Sequence, residues 1–166
     1  MPLADTVMYE EEFRQLQEIL KRLRLEANAR AAFLIDRNGQ QIAATGENLE
    51  GFDSTSLASL TAGNVASTDA LAKLIGEREF SILFHEGEKD NLHISLIGNK
   101  VILVILFDER SSLGLVRLRV RKATGELTAV FDSIDRKAAE ERARGSSVES
   151  PFAEITDADI DSLFSS

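Results

Sequence analysis

The chain is predicted to fold as a three-layer α/β sandwich, a five-stranded and mainly antiparallel sheet with helices on both faces. Three observations carry this expectation. The pairs Asn38-Gly39 and Gly98-Asn99 each lie between apolar runs, where residues that tolerate positive φ mark tight hairpins. Three stretches space their apolar residues by three and four, the period of an amphipathic helix. The resulting order is helix, strand, strand, helix, strand, strand, strand, helix, and hairpin-linked strands need helices to cover their faces.

The first helix is expected from Tyr9 to Asn28, with Phe13, Leu16, Leu20 and Leu23 on one side and acids in its first turn. Next comes AAFLIDRNGQQIAAT, two strands joined by a two-residue type I′ turn at Asn38-Gly39. A loop, GENLEGFDST, leads to a helix over Leu57 to Ile75, with Ser54 or Thr55 as its cap and Gly76 at its left-handed end. Three strands follow, FSILFH, NLHISLI and KVILVILF. Beyond Asp108, spacings of three and four from Leu113 to Ile134 predict a long helix. The tract Arg117 to Arg121 alternates with period two and could open as a strand, but length and the later pattern favour a helix.

Composition narrows the function classes. A chain of 166 residues with 43% hydrophobic and 28% charged residues can build one real core, and two full domains would be a squeeze. A formal net charge of -9 argues against a nucleic-acid or anionic-membrane surface, since both need a clustered positive field. The absence of cysteine excludes disulfides and thiolate chemistry and fits a reducing cytoplasm. No basic and apolar leader opens the chain, and its longest apolar run, Val101 to Phe107, is far short of the about 20 residues a spanning helix needs. The chain is therefore expected to be cytoplasmic, without membrane insertion.

Charge also divides the chain. More than half the net charge lies from Gly145 onward, where Glu149, Glu154, Asp157, Asp159 and Asp161 meet no base. The expected organisation is an N-terminal tail (1–8), a domain (9–144), a polar linker (145–150) and an acidic amphipathic docking motif (151–166). In that motif Phe152, Ile155, Ile160, Leu163 and Phe164 form the apolar edge of a short helix, too short to be stable alone.

Catalytic constellations are missing. His85 and His93 flank an acidic turn without the HExxH spacing, and as exposed or edge residues of a hairpin they are not assigned to a metal. Gly46 to Gly51 matches half of a phosphate loop, but Phe52-Asp53 replaces its Lys and Ser or Thr. No G-x-S-x-G elbow occurs. Arg117, Arg119, Arg121 and Lys122 spread around a helix as solvated charge, with a contribution to binding an acidic partner left open. No catalytic residue, cofactor or metal is expected.

The unusual element is the helix LASLTAGNVASTDALAKLI. Ala58, Ala62, Ala66 and Ala70 recur every four residues, and between Thr55 and Ala72 the sole charge is Asp69. The bland reading lays this flat side on the sheet. The favoured one gives Leu57, Leu60, Leu71, Leu74 and Ile75 to the sheet, so that the alanine row meets a partner helix or a second protein.

The chain resembles the Roadblock/dynein light chain family, and within it the bacterial MglB group. The residues that carry the resemblance are Ser54 to Asn64 (STSLASLTAGN), Ala70 to Gly76, Phe33 to Gln40, Val104 to Phe107 leading into Ser112 to Arg117, and Ser150 to Ile155. The resemblance implies a profilin-like fold and a homodimer in which small-residue helices and edge strands of two protomers meet. It implies a GTPase-activating regulator of an MglA-type Ras-like GTPase in bacterial cell polarity and gliding motility, concentrated at a cell pole, with further polarity proteins as partners. On this view the protein has no catalytic centre and reorganises residues the GTPase owns. The expected partner-binding residues are Ser59, Ala62, Gly63, Ala66, Ser67, Ala70 and Lys73 on the helix, and Phe152, Ile155, Ile160, Leu163 and Phe164 at a second site that aids nucleotide exchange. The alternative is a dimeric scaffold that recruits partners without stimulating GTP hydrolysis, and a small-ligand sensor stands third.

Overall fold

The computed structural model describes residues 9–145. The expected N-terminal tail and the docking motif, with Phe152, Ile155, Ile160, Leu163 and Phe164, lie outside the described residues. The chain divides into two compact units, Met1–Val130 and Phe131–Ser166. The first contains the whole sheet and its covering helices, and the second contributes, among described residues, the C-terminal part of the last helix.

Helix α1 (Glu10–Glu26) buries Leu16, Leu20 and Leu23, while Phe13 is half-buried. It stops because Asn28 turns left-handed at φ 53°, and the Ala29 amide reaches back to the Arg24 carbonyl at 2.9 Å. Strands β1 (Ala31–Asp36) and β2 (Gln41–Gly46) form the first hairpin. Its turn differs from the expected type I′: the Gly39 amide bonds the Asp36 carbonyl at 3.1 Å, Gly39 alone takes positive φ, and the register shifts between Leu34 and Ile35. Asp36 explains the choice, since its Oδ1 accepts from the Asn38 and Gln40 amides at 2.9 Å and holds Asn38 on the ordinary side of φ.

After a single 3₁₀ turn (Leu49–Gly51), helix α2 runs over Ser54–Leu74. Its cap is Asp53 rather than Ser54 or Thr55: the carboxylate accepts from the Ser56 amide at 3.0 Å and the Ser56 hydroxyl at 2.6 Å. These bonds hold its pKa below the usual carboxylate value. Gly76, at φ 82°, closes the other end as expected, with the Glu77 amide on the Ala72 carbonyl at 2.8 Å.

Strands β3 (Ile82–Glu86), β4 (Asn91–Ile97) and β5 (Val101–Phe107) complete an antiparallel sheet of order β2-β1-β5-β4-β3. Its central strand reads VILVILF because both its faces are covered. The β4–β5 turn has three residues, of which Gly98 alone takes positive φ. Helix α3 (Leu113–Gly145) starts with the Ser112 hydroxyl accepting from the Leu115 amide at 3.2 Å. The Arg117 to Arg121 tract is thus helical, and the helix includes Gly145, the first residue of the expected linker.

Alternation along the strands builds two cores. Ala31, Phe33, Ile35, Ile94, Ile102 and Val104 pack with Ala58 and Val65 of α2 on one face. On the other, Leu34, Leu103 and Ile105 are buried beneath Leu16 and Leu20 of α1 and Val116 and Leu127 of α3. Helices α1 and α3 lie side by side there, joined by the ion pairs Arg22–Glu126 and Arg119–Glu26. His93 is misplaced by the sequence reading: expected exposed or at an edge, it is 1% exposed under α3.

Gly46 pairs with Ala31, and a Cβ added there would lie 2.7 Å from the Ala31 Cβ and 2.8 Å from the Arg30 carbonyl oxygen. Gly46→Ala should therefore cost about 1–3 kcal/mol in urea denaturation followed by circular dichroism. Gly51→Ala, whose Cβ meets nothing within 4 Å, should change stability by less than about 0.5 kcal/mol.

Candidate functional site: the outer face of helix α2

Topology places α2 before its side chains are considered. It connects β2 to β3, the two edges of the sheet, and so must cross one entire sheet face. What it turns toward that face are small and medium side chains: Ala58, Thr61, Val65 and Ala72 are buried. The hairpin turn beneath it is equally close, since a Cβ on Gly39 would lie 3.1 Å from the Ser59 Cα.

This arrangement overturns the favoured assignment for four of the five bulky residues. Leu60, Leu71, Leu74 and Ile75 are 74%, 54%, 84% and 63% exposed, while Leu57 packs against the core beside the smaller Ala58 and Val65. The alanine row does not face one way either. Ala58 is buried, Ala62 half-buried, and Ala66 and Ala70 exposed, because a repeat of four lags the helix period and drifts around it. The bland reading was correct for the N-terminal end of the row.

Of the expected partner-binding residues on α2, Ser59, Gly63, Ala66, Ser67, Ala70 and Lys73 are exposed and Ala62 is half-buried. Ser59, Gly63 and Ser67 line a shallow open groove together with Leu60, Asn64 and Leu71. Leu60 and Leu71 were not among the residues expected on this surface. Their signal was present in the spacing, since 60, 64, 67, 71 and 74 form a row of their own on a helix.

Electrostatically this face is blank. Asp69, the single charge in the middle of the helix, is taken by Arg37 at 2.8 Å, and Arg37 also approaches Glu79 at 3.7 Å. A helix with exposed leucines, small neighbours and its one acid neutralised has a surface suited to close contact with another protein rather than to chemistry. Among the described residues, no group of three or more His, Cys, Asp or Glu side chains could hold a metal ion, and no helix is long and apolar enough to cross a membrane.

Comparison with known proteins agrees with this geometry. The Roadblock/LC7 domain model matches residues 15–107. A solved structure of Myxococcus xanthus MglB is 55% identical, with a TM-score of 0.72, covering 76% of this chain and 94% of that one. The gliding protein MglB from Thermus thermophilus is 35% identical, with a TM-score of 0.69 and coverage of 74% and 92%. A structure described as MglB with a tetrameric arrangement is 34% identical, with a TM-score of 0.70 and the same coverage of 74% and 92%. A search of curated proteins returns no significant match.

Gly63 sits inside α2 with nothing within 4 Å of an added Cβ, so the fold gains nothing from it. Gly63→Ala should stabilise the protein by about 0.5–1 kcal/mol, measured by thermal or urea denaturation, because glycine in a helix interior costs backbone entropy.

Proposed function

The chain belongs to the Roadblock/LC7 family, in its MglB group, and from that membership we propose that it is a GTPase-activating regulator of an MglA-type Ras-like GTPase. It works as a homodimer in the cytoplasm, concentrated at a cell pole, in bacterial cell polarity and gliding motility with further polarity proteins. The observation that carries this reading is the outer face of α2. Leu60, Leu71 and Leu74 stand exposed among Gly63, Ser67 and Ala70, with no unneutralised charge between Thr55 and Ala72. That surface is shared between the dimer mate and the GTPase. Residues 151–166 contact the GTPase at a second site and aid nucleotide exchange.

The mechanism is indirect. Activators accelerate GTP hydrolysis either by inserting an arginine or by ordering groups the GTPase already owns. Helix α2 contains no arginine, Arg37 beside it is paired with Asp69 and Glu79, and Arg117, Arg119 and Arg121 project from α3 across the sheet. The face suits the second route: it packs against the GTPase and holds its catalytic loop in place.

The deciding experiment adds the purified protein to a GTP-loaded MglA-type GTPase and follows phosphate release in a single turnover. Acceleration is the expected result. Binding without acceleration would favour a scaffold, and absence of binding would defeat both. Ala66→Arg and Ala70→Arg, at exposed positions, should leave the fold intact and abolish GTPase binding. Unchanged affinity for both variants would remove this face from the interface.

Single replacement of Arg110, Arg117, Arg119 or Arg121 by alanine should leave the accelerated rate within about tenfold. A loss of roughly a thousandfold with binding intact, the scale of an arginine finger, would show direct catalysis instead. Truncation after Arg144 should leave the melting temperature nearly unchanged while weakening the GTPase complex.

A further inference from the structure

On the sheet face opposite α2, a pocket of about 390 Å³ opens between α3 and the β3–β4 hairpin. Its floor is His93 and Ser95, 1% and 5% exposed. Arg117 and Arg121, one turn apart on α3, line its rim, and Ile82 and Val120 supply an apolar wall. No carboxylate lines it, in a chain whose net charge is -9.

The polar atoms of the floor are unused. Neither ring nitrogen of His93 nor the Ser95 hydroxyl has a hydrogen-bond partner among the described residues. A donor or acceptor buried without a partner destabilises the fold, and apolar side chains at both positions would have extended the core formed by Leu103 and Ile105. Burial, and then the nearby Arg117 guanidinium, push the His93 pKa below its usual value. At neutral pH the ring therefore offers one N–H donor and one acceptor nitrogen. Arg117 and Arg121, for their part, make no ion pair with a described residue, whereas Arg119 between them reaches Glu26 at 3.9 Å. Two cations without an ion pair to a described residue thus stand at the rim of a cavity whose floor residues, His93 and Ser95, hold three buried polar atoms without a hydrogen-bond partner among the described residues.

We propose that this pocket binds a small organic oxyanion, a carboxylate or phosphate on a short apolar group. The two guanidinium groups neutralise the anion, and guanidinium is suited to planar two-point contact with either oxyanion. His93 and Ser95 donate to the oxygens that penetrate deepest, and Ile82 and Val120 cover the apolar portion. The site lies across the sheet from α2 and does not depend on the GTPase reading.

The test titrates the isotope-labelled full chain with phenyl phosphate and, separately, phenylacetate, following the ring resonances of His93 and His85 by NMR. Sodium chloride at matched ionic strength is the control. The expected result is a saturable shift of His93 but not His85 with at least one probe. The same probe should bind at least tenfold more weakly to the Arg117→Gln/Arg121→Gln double variant, whose exposed positions leave the fold intact, as circular dichroism would verify. A response to phenyl phosphate alone would assign a phosphate ligand, and a response to phenylacetate alone a carboxylate. The proposal is overturned if neither probe gives a saturable shift, if chloride reproduces it, or if the double variant titrates like the parent protein.

Discussion

The close approach of α2 to the sheet is the constraint from which the rest of the structure follows. A helix that must travel from one edge strand to the other has to lie flat across the intervening strands, and its height is set by what it places underneath. Ala58, Thr61, Val65 and Ala72 keep it low, and Gly39 lets the β1–β2 turn slide beneath the backbone at Ser59. Phe33, Ile35 and Val104 then pack from below against Ala58 and Val65. Larger side chains in place of Ala58, Thr61, Val65 and Ala72 would lift the helix and open that core, since interiors tolerate few voids.

The same constraint inverts the usual amphipathic pattern. In a helix packed on one surface the bulk is inside and the polar residues outside, whereas here four large apolar side chains are more than half exposed. A monomer derives no stability from them. Their exposure makes sense if a further surface covers them, and the pairing of Asp69 with Arg37 offsets the charge in the middle of the helix, whose desolvation would oppose that contact.

Element order, hairpins and the central strand were legible because each rests on local chemistry: Asn38-Gly39, Gly98-Asn99, and an unbroken apolar run covered on both sides. Three features were not. The repeat of four alanines shows that α2 has a flat row but not which side meets the sheet, because both sides carry apolar residues and the topology decides between them. The cap lay in Asp-Ser-Thr-Ser, where three neighbours share the chemistry and only the path of the backbone selects Asp53. His93 was misplaced because a histidine beside an acidic hairpin has the composition of an edge, while the order β1-β5-β4-β3 puts its strand inside the sheet. The small residues expected at a contact are exposed on α2 apart from half-buried Ala62, as their pattern suggested. Leu60, Leu71 and Leu74 were assigned inward by the ordinary rule that bulk is buried, and of the leucines on α2 only Leu57 packs against the core.

The two sheet faces thereby differ in chemistry. The α2 face carries exposed leucines, with Asp69 paired to Arg37. The helices on the other face retain many charges, some of them paired, as Arg22–Glu126 and Arg119–Glu26, while Arg117 and Arg121 stand at the rim of a pocket over an unsatisfied floor. An antiparallel sheet with a fully buried central strand is a stiff partition between them. Strands β1, β4 and β5 each place side chains in both cores, Phe33 and Leu34, Ile94 and His93, Val104 and Leu103, so displacement of any one of them would disturb the packing on both faces.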